Sequence, residues 1–226
     1  MSLVATITPD DSCTTIFYDR VRASSDVHPY CHASITSVVI TTAAEPQRGT
    51  CMSLRHMRDV WKLMPDLTRI HVGSRVAITV VDIRVVARDC PHLDALVIEN
   101  PRVGFDVIKA VPRELPRLKQ LDITAATVSM ATAVDAAQHM PHLQTLSLCG
   151  TPRLHLNTRF TLAGIKPVTT LTTLHLRDCW IDDTDAAVIV RLFPNLEELV
   201  LTGASLTANG MSTLMDELPN LQKLDL

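Results

Sequence analysis

A string of the form Pro-x-Leu-x-x-Leu-x-Leu, with Ile or Val allowed in the later places, begins at Pro65, Pro91, Pro116, Pro141, Pro194 and Pro219, and a seventh copy has Thr169 in the proline place. The starts at 65, 91, 116, 141, 169, 194 and 219 lie 26, 25, 25, 28, 25 and 25 residues apart. A fixed period makes each copy one structural unit that cannot bury its apolar side alone, so neighbouring copies must stack. Each copy carries three apolar anchors: Leu67, Ile70 and Val72; Leu93, Leu96 and Ile98; Leu118, Leu121 and Ile123; Leu143, Leu146 and Leu148; Leu171, Leu174 and Leu176; Leu196, Leu199 and Leu201; Leu221, Leu224 and Leu226. A weaker eighth set is Ile35, Val38 and Ile40.

The alternation Leu-x-Leu has the period of a strand, with both leucines on one face and the residue between them on the other. Between these segments lies a second apolar pattern with helical spacing. It reads Val103, Ile108, Val111 and Leu115; Val128, Ala133, Ala136 and Met140; Ile181, Ala186, Ile189 and Phe193; Leu206, Met211, Leu214 and Leu218; and more loosely Met52, Met57, Val60 and Met64. One unit is therefore strand, turn, helix and return loop. Asp183 or Thr184 is expected to cap one helix, and Thr207 or Asn209 the next. The expected fold is an α/β solenoid bent into an arc, with parallel strands on the concave face and helices on the convex face. Residues 35–226 form the repeat domain, about seven clear repeats after one degenerate first repeat, and residues 1–34 form an N-terminal cap or extension.

Composition fits thin stacked layers: 46% of residues are apolar but only 4% aromatic, so the core is aliphatic. A formal charge of −3 with scattered basic residues argues against direct nucleic-acid binding. No stretch approaches the roughly 18 consecutive apolar residues of a membrane span. The six cysteines lie far apart, without the dense pairing of a stapled extracellular domain, which points to reduced thiols inside a cell.

The best-formed copy runs from Leu171 through Leu174, Leu176, Cys179 and Ile181 to Phe193 and Pro194. It resembles the cysteine-containing subclass of leucine-rich repeats, of F-box-associated or ribonuclease-inhibitor-like type, and the spacings fall within that family's range. The resemblance covers roughly residues 35 to 226. It implies a non-catalytic protein–protein interaction module, a scaffold or assembly subunit of a larger intracellular, most simply cytoplasmic, complex. The alternative it implies is the substrate-recognition adaptor of a ubiquitin ligase, although no F-box-like segment precedes the repeats. The place of Cys179, which in the family bonds backbone between coils, holds Ala43, Arg75, Pro101, Ala126, Thr151 and Ala204 elsewhere, so that internal ladder is expected to be mostly missing. Additional residues around Thr151 to His155 predict a local bulge. The chain stops on the strand residues Leu224 and Leu226, and a partner or further chain is expected to cover that end.

Binding is expected on the concave face, where the intervening side chains stand in register and the core does not require them. Between the paired anchors are His71, Val97, Asp122, Ser147, His175 and Val200; flanking them are Arg69, Gln120, Thr145, Glu198 and Lys223 on one side, and Glu99 and Arg177 on the other. Both signs of charge mixed with Val and Thr fit a protein partner better than a polyanion. No catalytic residue, metal or cofactor is assigned. Cys13, His28, Cys31 and His32 are of ligand type but lack paired zinc spacing and read as an irregular polar cap. Asp182, Asp183 and Asp185 read as helix capping and not as a cation site. Cys149 has no evident base, since His175 lies a repeat away, and His92 and His142 read as loop residues. No phosphate loop, dinucleotide fingerprint or hydrolase elbow is present. Trp61 and Trp180 are expected at repeat edges, where an exposed Trp180 can anchor a partner on the convex face.

Overall fold

The computed structural model describes residues 3–7, 35–40, 52–53, 61–62, 64–125, 128–150 and 165–226. In chain order the described elements are β1 (Leu3–Ile7), β2 (Ile35–Ile40), β3 (Met52–Ser53), β4 (Arg69–Val72), β5 (Val76–Ala77), α1 (Val80–Asp89), β6 (Ala95–Ile98), α2 (Phe105–Glu114), β7 (Gln120–Thr124), α3 (Met130–His139), β8 (Thr145–Cys149), β9 (Thr173–Arg177), α4 (Asp183–Leu192), β10 (Glu198–Val200), α5 (Ala208–Glu217) and β11 (Lys223–Asp225).

Among the described residues one parallel sheet of nine strands runs β1-β2-β4-β6-β7-β8-β9-β10-β11, and β3 pairs with β5 in a small second sheet. The register of the large sheet follows the sequence period: Ile70 lies beside Leu96, then Leu121, Leu146, Leu174, Leu199 and Leu224. Like therefore stacks on like, and every anchor from Leu67 to Leu201 exposes 3% or less of its surface. One carbonyl before each strand accepts two N–H groups from the following coil, as Thr68 does from Asp94 and Ala95, and Glu197 from Gln222 and Lys223. Val38 and Ile40, from the weak first set, are wholly buried, and β1 adds a parallel strand outside β2 that the periodic reading did not include.

The helical pattern is buried as expected: Val103, Ile108, Val111 and Leu115, and their counterparts in α3 and α4, face the sheet. The prolines mark where helices end. Cys90, Leu115, Met140, Phe193 and Leu218 are the C-caps, and each precedes a repeat proline. Proline disfavours helical backbone at the residue before it, so the stop is sharp. One helix was not anticipated. The run Val80 to Val86 is rich in β-branched residues and looks like a strand, yet Thr79 and Asp82 form a capping box, and Ile78, Ile83, Val86 and Cys90 fill the core register. Conversely Met52, read loosely as helical, lies in the strand β3.

Caps tie neighbouring coils together. Asp182, and not Asp183 or Thr184, caps α4 by accepting from the N–H groups of Thr184 and Asp185. Asp183 instead reaches the next coil and accepts from the N–H (2.8 Å) and hydroxyl (2.5 Å) of Thr207, the N-cap of α5. That approach requires Gly210, where a Cβ would stand 2.3 Å from the Asp183 carboxylate. Cys179 points its thiol at the Leu148 carbonyl of the preceding coil. Asn100, one place earlier in its own repeat, does comparable work: its buried amide donates to the Val76 carbonyl at 2.8 Å and accepts from the Arg102 N–H at 2.9 Å. Trp61 is buried in the core and not at an edge, whereas Trp180 is 46% exposed with a φ of 52°. Thr151 to His155 lie outside the described residues.

Because each coil is held mainly by its neighbours, Leu174→Ala is expected to cost about 3 kcal/mol in urea unfolding. Its lost hydrogen-exchange protection should centre on β8, β9 and β10 and spare β4; a loss below about 1 kcal/mol would contradict this packing.

Candidate functional site

Strands with inward anchors must turn the residues between them outward, and a fixed register lines these up across the sheet. Among the described strands the middle row is Val39, His71, Val97, Asp122, Ser147, His175, Val200 and Asp225. A first row runs Arg69, Ala95, Gln120, Thr145, Thr173, Glu198 and Lys223, and a third joins Thr124, Cys149 and Arg177. Glu99 follows β6 directly, its N–H donating to the Val72 carbonyl.

Exposure along the middle row is not uniform. His71, Asp122 and His175 are half-buried, whereas Val97, Ser147 and Val200 are buried, against the expectation that the whole row stands free. The reason is the close strand spacing: a short side chain between two longer neighbours, one strand away on each side, is shaded by both. Ionisable posts therefore alternate with a low floor, post to post about 10 Å apart, twice the strand spacing. Arg69, Glu99, Arg177 and Lys223 are exposed; Gln120, Thr145 and Glu198 are half-buried.

Two of the posts lie against carboxylates. His71 Nε2 lies 2.9 Å from Glu99 Oε1, and His175 Nε2 lies 3.1 Å from Glu198 Oε1. The same Glu198 oxygen receives Lys223 Nζ at 2.6 Å, and Lys223 first, with His175, holds that carboxyl below its ordinary value. Asp122 is pushed the other way. Burial raises its pKa, Glu99 adds repulsion, and the Ser147 hydroxyl with Arg177 and His175 offsets part of this. An ionised Asp122 thus costs the free chain stability.

Cys149 lies opposite Arg177 and not opposite His175, whose partner in register is Ser147. Burial and Asp178 raise its thiol pKa, so the site does not activate it as a nucleophile. Cys90 and Cys179 are buried thiols pushed up to about 12. Among the described residues no group of three or more His, Cys, Asp and Glu is placed to hold a metal ion. Cys13, His28, Cys31 and His32 lie outside them. His92 lies in a loop, where it lines a hollow of about 570 Å³ with Asp66, Asp94, Arg117 and Lys119. Asp94 and Lys119 bridge there at 3.0 Å. No described helix is long and apolar enough to cross a membrane.

Residues 169–190 match a family model described as Leucine Rich repeat. No curated protein matches the sequence. Among solved structures the chain is similar to a protein from Bacteroides fragilis, with 13% identity and a TM-score of 0.53 over 98% of this chain and 73% of that one. It is also similar to a chain of the Toll–Spatzle complex of Drosophila, with 13% identity and a TM-score of 0.30 over 87% of this chain and 33% of that one. The second score is too low to bear on the fold, and the first likeness speaks to fold alone. The stacked coils form an α/β solenoid with the parallel sheet of a leucine-rich-repeat fold, and the repeat match over residues 169–190 agrees with it.

Two outcomes follow from the site's electrostatics. A carboxyl whose folded-state pKa is raised favours the fold while protonated and loses that contribution as pH rises through the folded value. Asp122→Asn is therefore expected to unfold at a higher temperature than the parent at neutral pH, with the gap closing as pH falls toward about 4, the ordinary value; an equal or lower melting temperature at neutral pH would count against it. In peptide-resolved alkylation with iodoacetamide, Cys149 should react more slowly than a free thiol at neutral pH, and Cys90 and Cys179 more slowly still. Faster labelling of Cys149 would reopen its reading as a nucleophile.

Proposed function

We propose that the chain is a non-catalytic interaction module that holds a protein partner along the inner wall of its sheet, as a scaffold or assembly subunit of a larger intracellular complex. The observation that carries this reading is the middle row, where His71, Asp122, His175 and Asp225 stand as posts over the buried Val97, Ser147 and Val200. Such a relief offers sockets for a partner's side chains on a backbone already rigid, so little ordering entropy is lost on binding. Asp122 supports it further: a charge that costs the free chain stability can be satisfied by a partner's donor.

Arg69 and Arg177 stand exposed at opposite parts of the wall, with Glu198 near its C-terminal end. Mixed charge of this kind selects a partner by complementarity and by rejection of wrong ones, more than by affinity. The adaptor reading, substrate choice for a ubiquitin ligase, has only the Cys179 coil behind it and no separate feature of the wall.

A photo-crosslinker placed in turn at Gln120 and Thr145 on the wall, and at Val188 on α4, tests the reading in native extract. Adducts are expected from the wall positions and should fall about tenfold when Arg69, Arg177 and Glu198 are charge-reversed together. Adducts from Val188 alone, or wall adducts indifferent to the reversals, would sink it.

A further inference from the structure

From β4 to β11, β6 is the one strand buried at every position. Its wall-side residues are Ala95 and Val97, both short and apolar. The strands beside it carry Arg69 and His71 in β4, and Gln120 and Asp122 in β7, at the same two levels. Taller side chains on both flanks shade a low floor, so the wall is grooved along β6. The bed of the groove is two residues long, about 7 Å along the strand. Asp122 stands beside Val97, and Glu99 stands at the far end, two residues beyond Val97 on the same face.

The two carboxylates at that end are not equally provided for. Glu99 lies 2.9 Å from His71 Nε2. Asp122 has no ion-pair contact among the described residues: the Ser147 hydroxyl donates to it, Arg177 and His175 act on it at longer range, and Glu99 repels it. At the opposite end of the bed the exposed Arg69 stands beside Ala95. The groove is thus apolar along its floor, anionic at one end and cationic at the other. Charge alone suits any cation, but a small hydrated ion gains nothing from Ala95 and Val97. A basic side chain satisfies both demands, because its methylene stem covers apolar surface while its charged head stays with polar groups.

We propose that the groove along β6 receives a lysine or arginine side chain of the protein partner, its stem laid over Ala95 and Val97 and its charged head between Glu99 and Asp122. The inference rests on the reading of the wall as a binding surface and gives that surface the chemistry of its occupant. Arg69 sets the direction, since it repels a cationic head from the Ala95 end. An acidic side chain meets two carboxylates at the Glu99 end, and an apolar one leaves Asp122 without a counter-charge.

Random peptides displayed on phage and selected on the immobilised 226-residue chain test it. The selected peptides are expected to share one basic position, and Gln in that place should weaken binding by about tenfold. Glu99→Gln and Asp122→Asn together should weaken it by a similar factor. Asp216→Asn, the same loss of charge at an exposed place on α5, should leave it unchanged. Asp122→Lys should turn the shared position from basic to acidic. Because Asp122→Asn is expected to melt higher than the parent, weaker binding by that variant is not a loss of fold; a merely structural Asp122 would move stability and binding in the same direction. Selected peptides with no basic position in common, or with equal affinity for the parent and the Glu99→Gln, Asp122→Asn double variant, would overturn the proposal. Adducts from Gln120 and Thr145 in native extract that persist in the double variant would overturn it too, while leaving the wall reading intact. Absence of those adducts from the parent chain would remove the wall reading itself.

Discussion

Parallel hydrogen bonding between coils is the constraint on which the rest depends. In each step of the array a single carbonyl, Thr68, Asp94, Lys119, Gln144, Thr172 or Glu197, takes two N–H groups from the coil that follows. This double acceptance locks each strand to its predecessor without slippage, and a slip of one residue would turn every anchor from core to wall. The wall and the core are therefore two faces of the same decision. Leu174 can be buried only if His175 is turned outward, and the posts can align only if the leucines stack.

Helices serve this lock more than they determine it. They close the apolar side, and their ends couple one coil to the next through Asp183 on Thr207 and through the clearance at Gly210. Two residues of left-handed backbone, Asp178 and Trp180, bracket the buried Cys179, whose thiol lies near the Leu148 carbonyl of the preceding coil. Stability in such an array is a sum over neighbours.

The inner wall is polar, and several of its charged groups lie against one another. Glu198 gathers a histidine and a lysine, Glu99 lies against His71, and Asp122 holds a carboxyl where burial disfavours its charge. These groups are organised before any partner arrives. Under the proposed function a partner would meet charges already paired, which is the condition for discrimination at modest affinity.

The period, the parallel strands, the inward leucines and four of the five described helices could be read from residue order, because a repeat of near-constant length puts the same burial demand at the same place each time. The prolines after the helices carried that message plainly. Other features depended on neighbours from different repeats. Val80 to Val86 looks extended by local preference and is helical because Thr79 and Asp82 cap it and the sheet needs its apolar face. Asn100 found the Val76 carbonyl from a place one residue away from the one where the family pattern would seek it. The alternation of tall and shaded residues on the wall, and the raised pKa of Asp122, arise only when side chains twenty-five residues apart are brought one strand spacing from each other. Periodicity determines which way a side chain points; only the packed sheet decides how much water still reaches it, because exposure belongs to neighbours across the strands and not along them.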